Sequence, residues 1–204
     1  MDKINKKLLI DKHQNTVLEL LLRLKMHSQE TYEHSIDVAG KSFALACAFG
    51  IDRDDVKKLY TASLLHDIGK LYIDGSLLHK HDATDSEKEI IKLGHIIGTK
   101  TILSDYFDAD FVSLAAHHHE RLNRSGYPEH IGARKLDILD RILQVADVTS
   151  ALEMARSYKE SYKTEQVIAI LDDLAARGEL DATCVKEIER VILIAAKNQA
   201  QYGS

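Results

Sequence analysis

The sequence predicts an all-α fold, a single compact bundle of seven or eight helices. Apolar residues recur at three- and four-residue spacing in most segments, which is the periodicity of helices with one buried face. One proline in 204 residues leaves few forced helix breaks, and 45% hydrophobic with 29% charged residues is an ordinary globular composition. We expect one globular unit, in which residues 1–27 form an N-terminal packing helix and residues 28–204 form the functional domain.

The individual helices follow from this periodicity and from residues that favour helix starts. Ser28, Asp52 and Asp108 each precede an apolar-periodic segment and have side chains that cap helix N-termini. Ser86 with Glu89 has the spacing of a capping box. Residues between 71 and 86 lack the pattern, which predicts a loop. The predicted helices are 5–26, 30–49, 54 to about 66, 86–103, 108 to about 120, 136–154, 164–176 and 181–200.

Charge and cysteine content exclude several classes of protein. The chain has 27 Lys and Arg against 32 Asp and Glu, whereas binding along DNA or RNA needs a broad basic surface, so we expect no nucleic-acid polymer as partner. Cys47 and Cys184 form no CxxC pair, and we expect both to be reduced and buried. No signal peptide or membrane-spanning run is evident, which predicts a cytoplasmic protein without membrane contact.

The stretch Leu64-Leu65-His66-Asp67-Ile68-Gly69-Lys70 is the centre of the functional argument. On a helix, His66 and Lys70 share one face, and Asp67 points into the same interior. Because the surrounding residues are apolar, an uncompensated charge there would be costly, and a divalent metal ion would remove that cost. Taken alone, a capped helix end with an Asp67–Lys70 ion pair is an equally good interpretation.

Other imidazoles and carboxylates lie on other predicted helices. Glu30 and His34 are four residues apart, so they could hold one metal ion or form a surface hydrogen bond. His95 lies among apolar residues, where a lone histidine is more often a hydrogen-bonded core group than a ligand. Asp147 interrupts an apolar stripe, and a buried carboxylate needs a cation. Of the three histidines at 117–119, helix geometry allows two to line one pocket.

The order and spacing of these motifs resemble the HD-GYP family of the HD phosphohydrolase superfamily, over roughly residues 28–181. A His-Asp pair with a later double histidine, a Gly-Tyr-Pro loop and an Ala-Asp pair is a specific combination. The matching stretches are Glu30-Thr31-Tyr32-Glu33-His34-Ser35, Leu65-His66-Asp67-Ile68-Gly69-Lys70, His118-His119-Glu120, Gly126-Tyr127-Pro128, Val145-Ala146-Asp147-Val148 and Arg156-Ser157-Tyr158-Lys159.

The resemblance implies a bacterial phosphodiesterase that hydrolyses the second messenger cyclic di-GMP with two or three divalent metal ions, commonly iron or manganese. In the family the double histidine directly precedes a glutamate, so His118 and His119 are carried over as ligands and His117 is not. Asp67 resembles the carboxylate that bridges two ions, and Glu30 resembles the extra ligand of three-metal members. The metal ligands implied are Glu30, His34, His66, Asp67, His95, His118, His119 and Asp147.

The resemblance also implies roles in substrate binding and catalysis. Lys70 is similar to the lysine that contacts the scissile phosphate, and with Asp67 it is the expected catalytic pair. Tyr127 is expected to lie against the substrate. Arg156 and Lys159 resemble the pair that grips the phosphates of the ligand.

Three positions depart from the family pattern. Arg124 stands where glycine is usual, and is strained if the turn needs a positive φ, or adds a phosphate contact. Ser150 stands where an aspartate is usual. The spacing from His95 to Gly98 is one residue shorter than expected, which makes His95 the least secure of the predicted ligands.

The expected chemistry is attack of a metal-activated hydroxide on phosphorus. Two cations about 3.5 to 4 Å apart lower the pKa of a water between them and neutralise the phosphoryl oxygens. Two alternatives stay open: an HD phosphohydrolase acting on another nucleotide or cyclic dinucleotide, and a catalytically weak module that binds cyclic di-GMP. We expect regulation through a homodimer or through a separate sensor or diguanylate cyclase partner.

Overall fold

The structure, a computed structural model, describes residues 2–78, 80, 82–154 and 162–202. These residues form nine α-helices and one 3₁₀ helix, with no strand among them, which confirms the all-α prediction. The short α4 accounts for the helix beyond the predicted seven or eight. In chain order the elements are α1 (Asp2–His27), α2 (Gln29–Ala48), α3 (Arg53–Leu65), the 3₁₀ helix (Ile68–Tyr72), α4 (Gly75–Leu78), α5 (Asp85–Ser104), α6 (Ala109–Ala116), α7 (Ile138–Glu153), α8 (Thr164–Ala176) and α9 (Ala182–Tyr202).

The core lies around α2, which packs against α1, α3, α7 and α9. Its largest side chains are aliphatic and fully buried, among them Leu45, Leu59, Leu65, Ile142 and Leu143. Burying each such side chain contributes about 1.5–3 kcal/mol relative to exposure, so the apolar stripes read from the sequence are the main source of stability. The division of the chain at residue 27 stays a prediction. None of the described helices has the length and apolarity needed to cross a membrane.

Three of the predicted helix caps are present. The Ser28 hydroxyl accepts a hydrogen bond from the backbone N–H of Thr31, at 3.2 Å. The carboxylates of Asp52 and Asp108 accept backbone N–H groups in the first turns of α3 and α6. Each cap satisfies donors that the helix itself leaves without partners, and this is why local sequence alone located these three helix starts.

The start of α5 differs from its prediction. The capping box is formed by Thr84 and Glu87, not by Ser86 and Glu89. Both pairs have the same spacing, but the carboxylate of Glu87 also accepts a hydrogen bond from the ammonium of Lys80, at 2.8 Å. This additional contact favours the earlier start, and nothing in the local pattern distinguishes the two pairs.

Residues 71–86 and Cys47 also differ from expectation. The predicted loop contains the end of the 3₁₀ helix and the single turn of α4. Cys184 is buried as expected, whereas Cys47 is exposed. Leu45 and Ala46 take the inward positions at the end of α2, and Cys47 is rotated about 100° beyond Ala46, toward solvent.

Helix α6 ends at Ala116, before the histidine motif and not within it as the periodicity predicts, whereas α3 ends at Leu65, beside the His66-Asp67 pair as predicted. In both cases the imidazole itself ends the helix. The Nδ1 atom of His66 lies 2.7 Å from the carbonyl of Ser63, and Nδ1 of His118 lies 2.7 Å from the carbonyl of Ala115. The last carbonyls of a helix have no backbone donor, so the two side chains supply it. Each histidine is thereby held at a helix end with its other nitrogen turned inward.

A close backbone crossing brings the 3₁₀ helix onto α5. A Cβ atom on Gly69 would overlap the carbonyl oxygen of His95 and the backbone nitrogen of Thr99. The N–H of Gly69 donates to the Thr99 hydroxyl at 3.0 Å, and that hydroxyl donates to the carbonyl of His66 at 3.1 Å. The crossing therefore requires glycine, and it sets the His66-Asp67 pair beside His95.

We expect Gly69→Ala to lower the free energy of unfolding by about 2–3 kcal/mol, because the added methyl group separates two backbones that have no room to give. Urea denaturation measures this change. Gly40→Ala is the matched control: Gly40 lies on the exposed face of α2 and an added Cβ meets nothing within 4 Å, so the same substitution there raises stability by about 0.5–1 kcal/mol. Equal changes in the free energy of unfolding at the two positions would contradict the close approach of the two backbones at Gly69.

Candidate metal centre

Six of the predicted ligands are buried together at the end of the core. Their relative exposure ranges from 0% to 6%, and they come from α2, the end of α3, α5, the end of α6, and α7. Ionised carboxylates at such depth are costly unless a cation or several donors compensate them. The six residues are His34, His66, Asp67, His95, His118 and Asp147.

The ligand atoms fall into two neighbouring groups. Within each group, one ligand atom from every residue lies within 4.8 Å of the others. Such separations suit atoms that share one divalent ion at about 2.0–2.2 Å each. The first group is His34, His66 and Asp67, and the second is His95, His118 and His119.

Asp67 lies between the two groups. Its Oδ2 is 3.5 Å from Nε2 of His66 and 4.0 Å from Nε2 of His34. Its Oδ1 is 3.8 Å from Nε2 of His95 and 3.8 Å from Nε2 of His118. These distances are too long for hydrogen bonds. One carboxylate oxygen thus faces each group, so this carboxylate could be shared between the two groups of ligands.

Asp147 also reaches both groups, from α7. Its Oδ1 is 2.9 Å from Nε2 of His34 and 3.7 Å from Nε2 of His66. Its Oδ2 is 3.9 Å from Nδ1 of His119. The residue that interrupts the apolar stripe of α7 therefore directs both oxygens at imidazoles.

The tautomers of three histidines follow from their backbone partners. Nδ1 of His66, His95 and His118 lies 2.7, 3.0 and 2.7 Å from a carbonyl oxygen three or four residues earlier. A carbonyl only accepts, so Nδ1 carries the hydrogen and, in the neutral ring, Nε2 presents a lone pair. Histidine ligands of metal ions are commonly oriented in this way.

The Nε2 atom of His66 gives a direct test of whether the residues fit a metal ion. It is fully buried and has no hydrogen-bond partner, while its nearest polar neighbours include the oxygens of Asp67 and Asp147 at 3.5 and 3.7 Å. A lone pair that faces two carboxylates is unfavourable unless a cation or a proton lies between them. A divalent ion satisfies all three groups at once, so the donor set fits one.

The protonation states of most histidines suit metal binding. Burial lowers the pKa of His34, His95 and His118, and it lowers the pKa of His119 to about 3. Neutral imidazoles are the form that binds metal ions. His66 differs, because the carboxylates of its neighbours outweigh the effect of burial and raise its pKa.

Both carboxylates stay ionised. Burial alone would raise the pKa of Asp67, but the Lys70 ammonium and the neighbouring imidazoles outweigh it and hold that pKa well below the usual value. Burial likewise opposes ionisation of Asp147, but the hydrogen bond from His34 and the nearby imidazole of His66 hold its pKa well below the usual value. The centre therefore has two fixed negative charges for cations to neutralise.

Lys70 contacts Asp67 inside this cluster, not on the surface. Its Nζ is 2.5 Å from Oδ2 of Asp67, and its side chain is 18% exposed. Asp67 occupies the N-cap position of the 3₁₀ helix and Lys70 lies three residues later within it, a spacing that aligns the two side chains in this type of helix. The ion pair of the alternative interpretation is thus present together with the ligand cluster, and the helix face predicted to join Lys70 to His66 is absent.

A cavity of about 430 Å³ opens onto the centre. Its described lining includes ligand residues, three cations, one tyrosine and a wall of apolar side chains from α5 and α7. The cations are Lys70, Lys92 and Arg121, the tyrosine is Tyr127, and the apolar residues are Ile91, Val148, Ala151 and Leu152.

The Gly-Tyr-Pro loop lies directly on the double histidine. A Cβ on Gly126 would meet the backbone of residues 119–121 at about 2.5 Å or less, so only glycine fits. The N–H of Tyr127 donates to the carbonyl of His119 at 3.2 Å, and the two rings are 4.7 Å apart at an angle of 30°. Burial raises the pKa of the Tyr127 phenol, which keeps it protonated as a hydrogen-bond donor.

Glu120 holds the far end of this loop. It is fully buried, and its two oxygens accept the backbone N–H groups of Glu129 and Ile131, at 2.6 and 3.0 Å. The glutamate that follows the double histidine is therefore a loop anchor, a role that the sequence reasoning did not assign.

The remaining predicted residues have different positions. Glu30 is half-buried one turn before His34 on α2, outside the two groups. His117 pairs with Asp140, its Nδ1 lying 3.2 Å from Oδ1, and it belongs to neither group. Arg156 and Lys159, the predicted phosphate-binding pair, lie outside the described residues.

The three departures from the family pattern have structural counterparts. Arg124 has a φ of 69°, so the turn there does need the left-handed conformation that favours glycine. The hydroxyl of Ser150 contacts Nδ1 of His34 at 3.0 Å and so orients that ring. His95 reaches the cluster despite its altered spacing to Gly98.

Sequence reasoning missed two cavity cations, Lys92 and Arg121. Arg121 directly follows the double histidine and glutamate, and its Nη1 donates to the carbonyls of His118 and Glu120 at 3.0 and 2.8 Å. Lys92 is three residues before His95 on α5, a spacing that places both on one helix face. Once His95 is taken as a ligand, this three-residue spacing indicates that Lys92 lies beside the same site.

Comparison with known proteins agrees with this geometry. The HD domain family matches residues 16–184. The chain is 33% identical over 176 residues to a 3′3′-cGAMP-specific phosphodiesterase of Vibrio cholerae, covering 86% of this chain and 39% of that protein. It is 32% identical over 159 residues to a cyclic di-GMP phosphodiesterase of Pseudomonas aeruginosa, covering 77% and 38%. The chain thus spans about two fifths of the length of these relatives.

The fold is also that of a solved HD domain. The HD domain of the L. monocytogenes phosphodiesterase PgpH, solved in complex with cyclic di-AMP, superposes with a TM-score of 0.67 at 19% identity, covering 91% of this chain and 98% of that one. This likeness confirms the predicted helical architecture. With a family match over most of its length, and with the His66-Asp67 pair inside a histidine and carboxylate cluster, the chain belongs to the HD domain family.

Proposed function

We propose that the chain is a metal-dependent phosphodiesterase that hydrolyses cyclic di-GMP. The observation that carries the proposal is the position of Asp67, with one oxygen toward each of two histidine groups. This arrangement supports a pair of adjacent ions, and paired ions are a recurring solution for displacement at phosphorus. The named activities of the Vibrio and Pseudomonas relatives support a cyclic dinucleotide as the substrate.

The proposed ion sites share Asp67. His34, His66 and Asp147 would complete the first site, while His95, His118 and His119 would complete the second, and Glu30 would be the ligand of a third ion in a three-metal centre. Nitrogen and oxygen donors without thiolate suit iron or manganese, which we propose as the metals. When bound, such ions supply the positive charge that activates a water and neutralises the phosphoryl oxygens.

The protein's own residues would orient the substrate and stabilise its charge. The Lys70 ammonium, held by Asp67 at the cavity floor, is placed to neutralise charge that develops at phosphorus. The protonated phenol of Tyr127 can donate a hydrogen bond to the substrate from the cavity wall. The apolar side chains of α7 limit water beside the reacting group.

A second candidate substrate is 3′3′-cGAMP, which a Vibrio relative of the same similarity is named for. A competition assay that mixes cyclic di-GMP and 3′3′-cGAMP compares their kcat/KM values directly. A module that binds a dinucleotide without hydrolysing it is the remaining alternative, and turnover with manganese or reduced iron distinguishes it from an enzyme. A homodimer, or a separate sensor or diguanylate cyclase partner, stays a prediction.

We expect protein purified without oxygen and supplied with manganese or ferrous iron to linearise cyclic di-GMP, measured by chromatography of the products. Asp67→Ala removes the shared carboxylate, so turnover should fall at least about 10³-fold and bound metal should decrease, measured by elemental analysis. Asp54→Ala, which alters an exposed carboxylate in the first turn of α3, should change neither. Full turnover by Asp67→Ala would refute the proposed centre.

Removal of the metal should lower thermal stability, because Asp67 and Asp147 then remain buried without the positive charge of the ions. With free metal at about 1,000 times its Kd, the native state gains about 4 kcal/mol, which for a domain of this size corresponds to a Tm difference of roughly 10 °C. Differential scanning calorimetry of chelated and reloaded protein measures it. Identical Tm values would be inconsistent with a buried metal site.

Lys70→Ala should retain its metal content and lose about 10²–10³ in kcat, because the substitution removes a cation at the reacting phosphate but no ligand. Steady-state kinetics and elemental analysis measure the two effects separately. Lys57→Ala is the control, since Lys57 also pairs with an aspartate three residues away but lies exposed on α3. Unchanged kcat in Lys70→Ala would exclude the assigned role.

A further inference from the structure

We propose that Lys92 binds the second, non-scissile phosphate of the cyclic dinucleotide and thereby favours substrates that carry two phosphates over those that carry one. This inference rests on the proposed function and extends it to a residue on α5. It is carried by the position of Lys92 on the cavity wall, by the partners of its ammonium, and by its contact with Tyr127.

Lys92 lines the same cavity as the ligand cluster but is not part of that cluster. It lies three residues before His95 on α5, so both residues face the cavity from one helix. His95 is buried at the floor, whereas the Lys92 side chain is 51% exposed. A substrate bound at the floor and extending outward would therefore reach Lys92 at the rim.

The other cations of the described cavity lining have closer partners. Nζ of Lys70 is 2.5 Å from Asp67, and Nη1 of Arg121 donates to two backbone carbonyls. The nearest carboxylate that pairs with Lys92 is Glu89, at 3.8 Å, beyond hydrogen-bond distance. An exposed ion pair of this kind contributes little free energy, so little is lost when a phosphate replaces Glu89 as the partner of Lys92.

Tyr127 holds the Lys92 ammonium near the cavity rim. Nζ lies over the tyrosine ring, 5.5 Å from its centroid. A cation at this distance from an aromatic face is stabilised by about 0.5–1 kcal/mol at an exposed site. The backbone N–H of Tyr127 is hydrogen-bonded to the carbonyl of His119. The Lys92 ammonium is therefore positioned relative to the ligand cluster before the substrate binds.

The charge of a cyclic dinucleotide supplies the reason for a second cation. Its two phosphodiesters are each anionic, and only one can lie at the ion pair and Lys70. The wall formed by Ile91, Val148, Ala151 and Leu152 is apolar and cannot compensate the other. Lys92 reaches the cavity from α5 and supplies a cation there.

The test compares two substrates. Cyclic di-GMP has two phosphodiesters, and bis(p-nitrophenyl) phosphate has one. For Lys92→Met we expect KM for cyclic di-GMP to rise about tenfold and kcat to stay within about twofold of its original value. The substitution removes an exposed charge-assisted contact with the substrate and leaves the reacting centre unchanged. KM for bis(p-nitrophenyl) phosphate should stay unchanged, and Lys92→Arg should restore most of the affinity for cyclic di-GMP.

Lys88→Met is the matched control. Lys88 lies one turn earlier on α5 and pairs with Asp85 at 3.5 Å, three residues away, as Lys92 does with Glu89. It does not line the cavity, so neither KM should change. An unchanged KM for cyclic di-GMP in Lys92→Met, or an equal rise for both substrates, overturns the inference alone. Failure of the unaltered protein to hydrolyse any cyclic dinucleotide overturns the proposed function and this inference with it.

Discussion

The buried carboxylates of Asp67 and Asp147 are the constraint on which the rest of the structure depends. Both are ionised at depths where charge is unfavourable, and the surrounding imidazoles and Lys70 are arranged to compensate them. The compensation is incomplete, since a bare nitrogen of His66 faces both carboxylates. A folded domain that keeps such a cluster without cations is less stable than one that binds them, so the unfavourable burial and the affinity for metal have the same physical origin.

Two helix ends convert this constraint into a defined geometry. His66 donates Nδ1–H to a carbonyl in the last turn of α3, and His118 does the same in the last turn of α6. Each hydrogen bond both caps the end of the helix and fixes the tautomer of the imidazole. The Gly69 crossing then brings α5 and His95 against the first of these ends. The Glu120 anchor and Gly126 hold the tyrosine loop against the second. Secondary structure and ligand orientation are therefore products of the same hydrogen bonds.

The cavity above the centre has an uneven distribution of charge. Its floor has ligands and Lys70, its rim has Lys92 and Tyr127, and the side formed by α7 is apolar. Such a surface suits a substrate with anionic groups at both ends and little charge between them, in keeping with a cyclic dinucleotide. Relatives that are about a third identical to this chain over the matched residues are named for different cyclic dinucleotides.

The sequence by itself determined the helical class, three of the helix caps and the residues that form the cluster, because apolar periodicity, capping side chains and motif order are local properties. It could not place the start of α5, where Thr84 and Ser86 offer equal spacing, nor the end of α6 before the double histidine. Tertiary structure alone decided that Asp67 faces two groups at once and that Lys92 meets Tyr127. The contacts of Asp67 with His95 and His118 and of Lys92 with Tyr127 join residues at least 28 positions apart in sequence, and packing of α5 against the 3₁₀ helix and of the loop against the double histidine brings them together.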